Sequence, residues 1–229
     1  MSDTASSVVE KVRVWDLPTR LFHWTLVVLI AVLWWSGENG EMGIHQWAGY
    51  GALTLVVFRV VWGFVGSTTA RFATFLTGPA AIKRYLEETK AGKVGHIGHN
   101  PIGALSATAM ILLVLFQGIT GLFASENTFL FFEGPLADWV STGTSESLTS
   151  WHKTSFNLLL LIIALHVAST FFYLLVKKDD LVHPMMTGMK KVSRLDLKEE
   201  AAKLHFAPLP LAGKILAGVA AVIIVISFL

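Results

Sequence analysis

Residues 151–166 read WHKTSFNLLLLIIALH, with His152 and His166 bracketing the apolar run Leu158–Leu165. The apolar character continues to Val176. Trp151–Val176 is therefore long enough to cross a bilayer core of about 30 Å, which takes roughly 20 helical residues. Backbone groups inside lipid have no water to bond, so such a span must be helical. An ionisable side chain within it is a functional-site hypothesis by default. The 14-residue spacing of the two histidines is nearly four turns. It puts both on one helix face to within about 40°, roughly 21 Å apart along the axis.

Four more segments of this kind surround it: Thr19–Ser36, Ile44–Val65 and Ile102–Ala124 before it, and Leu211–Leu229, apolar apart from Lys214, after it. The first is short unless its helix starts near Asp16, with Arg20 reaching back to the headgroups. Composition agrees with a membrane chain. Of 229 residues, 53% are apolar and 15% charged, with a mean hydropathy of +0.60. A soluble domain carries about 25% charged residues, so an aqueous globule of this composition lacks the polar surface to cover itself. The net charge of +2 implies no polyanionic partner, and nucleic acid is excluded. Cysteine is absent. That rules out disulfides, thiolate zinc sites, Cys-bound iron–sulfur clusters and C-x-x-C-H haem attachment. A metal site must rest on carboxylates or on the eight histidines.

Charge sets the expected orientation. Met1–Arg20 carries three bases, Lys11, Arg13 and Arg20, and does not read as a secretory signal. The first connection (Gly37–Gly43) has none, and the second (Gly66–Pro101) has five: Arg71, Lys83, Arg84, Lys90 and Lys93. The third (Ser125–Ser150) has none but holds Glu126, Glu133, Asp138 and Glu146; the fourth (Lys177–Pro210) has seven bases. The positive-inside rule then predicts a cytoplasmic N-terminus and the base-free connections outside. Two cytoplasmic stretches have helical patterns: Gly78–Gly92, and Ser193–His205 with Ser193 and Asp196 as start signals. The outer connection, with Phe129, Leu130, Phe131, Phe132, Leu136 and Trp139, is too apolar for a solvated linker. Trp34, Trp35, Trp47 and Trp151 read as an interfacial aromatic belt. No internal sequence repeat is evident.

Four histidines lie in or at the ends of spans: His23, His45, His152 and His166. His45 opens the second span on the outer side, at the depth of His152. His23 starts the first span on the cytoplasmic side and is paired, with a poorer depth match, with His166. Two imidazole pairs from facing helices suit two bis-histidine haems, since each haem iron takes one ligand from either face of the ring. Zinc would need closer and more numerous ligands, and a di-iron site would need inward carboxylates that the spans lack. Structural or proton-relay histidines remain the alternative. Arg20, Arg59, His99 and Lys153 are candidates to bond a haem propionate or a quinone. His96, His183 and His205 read as solvated.

Several stretches carry a family resemblance. Val14-Trp15-Asp16-Leu17-Pro18-Thr19-Arg20-Leu21-Phe22-His23-Trp24 is one. His45-Gln46-Trp47-Ala48-Gly49-Tyr50 and Phe58-Arg59-Val60-Val61-Trp62-Gly63-Phe64-Val65-Gly66-Ser67 follow. Ala70-Arg71-Phe72, Gly98-His99-Asn100-Pro101-Ile102-Gly103-Ala104, His152, His166-Val167-Ala168, and Leu181-Val182 to Met186-Thr187-Gly188 complete the set. Together, over about residues 12–191, they resemble the prokaryotic cytochrome b561 family, in the branch of b-type cytochrome subunits of nickel–iron hydrogenases.

The resemblance implies an all-α integral membrane protein: a four-helix transmembrane bundle binding two non-covalent b haems, with a fifth C-terminal transmembrane helix added here. Its ligand pattern falls on His23, His45, His152 and His166. The expected layout is a cytoplasmic segment 1–18, a di-haem core 19–176, a cytoplasmic segment 177–210 and the fifth span 211–229. The expected function is electron transfer between membrane quinone and a periplasmic redox partner, a c-type cytochrome above all. The alternatives are a superoxide oxidase with quinone as acceptor, a membrane subunit of a hydrogenase-like periplasmic enzyme, and, from another class, a haem-free transporter or scaffold. Membrane lipid and a second copy of the chain are the remaining expected partners.

Overall fold

The computed structural model describes residues 9–91, 96–126, 132–193 and 195–229, the side chain of Asp196 excepted. Phe129, Leu130 and Phe131 of the third connection, and Lys93, Gly95 and Arg194 of the basic stretches, lie outside the described residues. The elements run β1 (Glu10–Arg13), α1 (Leu17–Glu38), α2 (Met42–Val65), α3 (Phe72–Phe75), α4 (Pro79–Lys90), α5 (Pro101–Leu122), β2 (Ser125–Glu126), β3 (Phe132–Glu133), α6 (Thr142–Phe172), α7 (Val182–Thr187), β4 (Met189–Val192), α8 (Leu195–Ala202) and α9 (Leu209–Ile226). Among the described residues, five helices are long and apolar enough to cross a membrane: α1, α2, α5, α6 with its continuation to Lys177, and α9. They are the five spans expected from the sequence.

The chain divides into two compact units. The first, here the ribbon unit, comprises Met1–Arg20, Trp62–Leu105 and His166–Ala207. The second, the cavity unit, comprises Leu21–Val61, Ser106–Leu165 and Pro208–Leu229. All three base-rich stretches fall in the ribbon unit and both base-free connections in the cavity unit. The alternation of charge along the sequence therefore corresponds to a grouping in space.

In the ribbon unit, β1 pairs antiparallel with β4, Glu10 opposite Val192 and Arg13 opposite Met189. The N-terminal segment and the stretch after α6, read as separate from sequence, are thus joined by a ladder. Val14, Trp15, Ile97, Val192 and Leu197 form a core between them. Gly188 makes the junction. Its φ of +84° is open to glycine at little cost. Its carbonyl accepts from the amides of Val14 (2.8 Å) and Trp15 (3.2 Å). Asp16, 1% exposed, caps α1: its Oδ1 accepts from the Thr19 amide at 2.8 Å, the position an N-cap carboxylate serves. Its Oδ2 accepts from the Trp62 indole at 3.0 Å. This cap starts α1 at Leu17 and makes the first span 22 residues long, which resolves its apparent shortness. Asn100 caps α5 through the Gly103 amide at 2.8 Å, with Pro101 as the first helical residue. The two expected amphipathic stretches are the helices α4 and α8.

In the cavity unit the link from α1 to α2 is three residues long and turns at Gly40, φ +71°. The fourth span starts at Thr142 rather than Trp151. Ser141 caps it, Oγ accepting from the Thr144 amide at 3.3 Å. The polar extension is held by hydrogen bonds: the Ser145 hydroxyl donates to the Phe123 carbonyl (2.7 Å), and Thr149 Oγ1 accepts from the Ser125 amide (2.9 Å). Hydroxyls that bond the end of α5 let a stretch of loop composition continue as helix. Strands β2 and β3 form a short hairpin, Ser125 opposite Glu133. Trp34, Trp35, Trp47 and Trp151 are all exposed on this unit, as an interfacial belt requires.

Candidate functional site: a histidine pair in a membrane-span cavity

The cavity unit encloses a space of about 510 Å³ walled by α1, α2, α5 and α6, within the range of about 300–1,000 Å³ typical of small-molecule and cofactor sites. His45 from α2 and His152 from α6 both line it. Their ring centroids are 6.1 Å apart and the rings are inclined by 76°.

Each ring is fixed by its Nδ1. His45 Nδ1 lies 3.0 Å from the Leu33 carbonyl of α1, and His152 Nδ1 lies 3.0 Å from the Gln117 carbonyl of α5. A carbonyl only accepts, so in both rings Nδ1 carries the proton and Nε2 carries the lone pair. Each Nδ1 also meets a buried hydroxyl: Ser36 Oγ at 3.3 Å for His45 and Thr120 Oγ1 at 3.2 Å for His152. Ser36 is 0% and Thr120 1% exposed. The next residue is glycine on both helices. A Cβ at Gly37 would lie 3.3 Å from His45, and one at Gly121 3.2 Å from His152. Gln117 adds its side chain, donating from Nε2 to the His152 carbonyl and to Ser155 Oγ, each at 2.9 Å.

The arrangement suits a metal held between two imidazoles. With a bond of about 2.0 Å to each nitrogen and about 1.1 Å from nitrogen to ring centre, the two centres lie about 6 Å apart. His45 and His152 have that spacing, the tautomer that offers Nε2, and a largely apolar cavity around them. Among the described residues no cluster of three or more His, Cys, Asp or Glu has the grouping of a bare metal site. The donor set is the one a metal carried in its own macrocycle needs, with only two protein ligands.

The other sequence candidates are placed as follows. His23, in the cavity unit, is half-buried with its ring edge-on to Trp24, centroids 4.9 Å apart. His166, in the ribbon unit, is half-buried, and its carbonyl accepts from the Ser169 and Thr170 hydroxyls. Arg59 is buried, 3% exposed, within α2. Arg20 is occupied in the ribbon unit, Nη1 donating to the Met186 carbonyl at 2.7 Å. His99 lies between aromatic rings, 4.8 Å from Trp15 and 4.7 Å from Phe75. Lys153 lines the cavity and pairs with Glu126 at 2.9 Å, so one of the four carboxylates of the third connection has a cation of its own. Sequence reasoning missed Ser36, Gly37, Gln117 and Thr120. The signal available was a shared pattern, Leu33-x-x-Ser36-Gly37 and Gln117-x-x-Thr120-Gly121, too short to register as a repeat.

Comparison with known proteins gives the family. The chain is 28% identical to the "Probable Ni/Fe-hydrogenase B-type cytochrome subunit" of Azotobacter chroococcum mcd 1, over 79% of this chain and 91% of that protein. It is 26% identical to the "Probable Ni/Fe-hydrogenase 1 B-type cytochrome subunit" of Escherichia coli (strain K12), over 82% and 95%. It is 23% identical to the similarly named protein of Bradyrhizobium diazoefficiens, over 79% and 86%. No solved structure matches. The family model for prokaryotic cytochrome b561 matches residues 14–188; the chain belongs to that family of membrane b-type cytochromes, whose membership implies haem b.

Proposed function

We propose that this chain is a di-haem electron-transfer protein of the bacterial inner membrane, linking the quinone pool to a periplasmic redox partner. The observation that carries the reading is the His45–His152 pair: 6.1 Å between ring centres, both Nδ1 protons committed to backbone carbonyls, in one cavity. In this reading His45 and His152 hold one haem b, and His23 and His166 hold a second. A haem b held by these imidazoles would supply one-electron redox chemistry. The chain's own part is to present Nε2, to keep the rings fixed and to exclude water. Arg20, Arg59, His99 and Lys153 are proposed as partners for propionates or for quinone.

The N-terminus and the base-rich connections are assigned to the cytoplasm. Their base content supports this through the positive-inside rule. The outer partner is a c-type cytochrome guided by the acidic third connection. A second reading, favoured by the names of the relatives, has a hydrogenase-type enzyme subunit in the same place.

The test is a dithionite-reduced minus air-oxidised visible spectrum of the detergent-purified protein, with haem-to-protein stoichiometry. Two low-spin b haems per chain are expected. A colourless protein from haem-replete cells overturns the reading. Stopped-flow reduction of a c-type cytochrome, against co-purification with a hydrogenase subunit, separates the two partners.

A further inference from the structure

The surroundings of His45 and His152 repeat. In α1, the carbonyl of residue 33, the hydroxyl of residue 36 and the glycine at 37 meet the ring from α2. In α5, the carbonyl of residue 117, the hydroxyl of residue 120 and the glycine at 121 meet the ring from α6. The intervals are the same, a hydroxyl three residues and a glycine four residues after the carbonyl. They place all three groups on one helix face, one turn apart. The sequences between differ, and the loops that follow differ in length, so the likeness is one of the site and not of the chain.

The hydroxyl protons are already used. Ser36 Oγ donates to the Leu33 carbonyl at 3.2 Å, and Thr120 Oγ1 donates to the Phe116 carbonyl at 2.8 Å. Each oxygen therefore faces its imidazole with a lone pair and accepts from Nδ1–H. Each ring N–H is shared between a carbonyl and a buried hydroxyl.

We propose that Ser36 and Thr120 are paired positioning residues, which together with the Leu33 and Gln117 carbonyls fix both imidazoles and strengthen the electron donation of their Nε2 atoms. The proposal rests on the reading that these two rings hold a haem. Partners that accept the outer N–H of a ligating histidine orient the ring and make it a better donor. Stronger donation favours the oxidised, more positively charged iron. Removing an acceptor therefore raises the midpoint potential of this haem and leaves the other unchanged.

The experiment is an optical redox titration of the haem-loaded protein in detergent, with low-temperature electron paramagnetic resonance of the oxidised form. The variants are Ser36→Ala, Thr120→Val and both together, with Ser36→Thr and Thr120→Ser as hydroxyl-keeping controls. Each single loss is expected to shift one haem's oxidised-to-reduced balance about threefold. The double variant shifts it about tenfold, which is about 59 mV upward for one electron. The controls stay close to the parent. Loss of that haem in the hydroxyl-free variants but not in the controls supports the same role. Unchanged potentials in loaded variants, or an equal shift in the controls, overturns the proposal while the haem reading stands. A parent protein whose spectrum is unaltered by His45→Ala overturns the haem reading itself, and this one with it.

Discussion

Asp16 and Trp62 are 46 residues apart in sequence and joined by a 3.0 Å hydrogen bond inside the ribbon unit. The same carboxylate caps α1, so both its oxygens are satisfied at a position 1% exposed. Asp16→Ala removes the cap, about 1 kcal/mol, and leaves the buried indole N–H unbonded, about 1–3 kcal/mol more. Trp62→Phe removes the donor alone and costs less than Asp16→Ala. Thermal unfolding of the detergent-solubilised protein ranks the two; equal midpoints for Asp16→Ala and the parent would contradict the arrangement.

The histidine pairing predicts stoichiometry. His45→Ala or His152→Ala is expected to halve the haem content, and the double variant to lose no more than either. His23→Ala and His166→Ala behave as a second such set. Haem-to-protein ratios across the six variants check this. Additive losses from His45 and His152 would mean that they serve different groups.

Gly188 has φ +84° and a Cβ there would lie 2.9 Å from the Trp15 carbonyl. Gly188→Ala is expected to cost roughly 1–2 kcal/mol for the left-handed backbone alone and more for the contact. The β1–β4 ladder should loosen first. Limited proteolysis near residues 9–14 of the variant, compared with the parent, reads this out.

The acidic connection is expected to guide a basic partner. Glu133→Gln, Asp138→Asn and Glu146→Gln should each slow electron exchange at low ionic strength and lose their effect at high salt, because surface charges are screened within about 10 Å at 0.1 M. Glu126→Gln should matter least, since Lys153 already sits 2.9 Å from Glu126. The pair itself, with Lys153 66% exposed, contributes at most about 1 kcal/mol to stability. Stopped-flow rates against salt concentration check the order.

The distribution of bases among the connections predicts a labelling pattern. With no native cysteine, single substitutions report sidedness cleanly. Lys83→Cys and Lys203→Cys, both exposed in base-rich connections, should react from one side of the membrane, and Asn39→Cys and Asp138→Cys, exposed in base-free ones, from the other. Impermeant thiol reagents applied to spheroplasts and to inverted vesicles decide it. Labelling of Lys83→Cys from the periplasm would reverse the assigned orientation.

The spans were legible in the sequence because lipid demands one simple property, a run of apolar residues of sufficient length with its backbone bonds satisfied internally. The grouping of the base-rich stretches in one unit was foreshadowed by the uneven distribution of lysine and arginine along the chain. His45 and His152 stood out because an imidazole in a span is uncommon and their depths match. The start of α6 was not legible. Thr142–Ser150 has the composition of a loop and becomes helix because Ser145 and Thr149 find partners at the end of α5.

The sequence by itself determined which segments are long and apolar enough to cross the membrane, how charge alternates between the connections, and that His45 and His152 belong together. Tertiary structure alone decided that β1 runs against β4, that Gly188 receives the amides of Val14 and Trp15, and that the Leu33 and Gln117 carbonyls hold the two imidazoles. The physical reason is common to all three. The acceptors are backbone carbonyls, which every residue carries, so which carbonyl meets which donor is written in the path of the chain and not in the residue types along it.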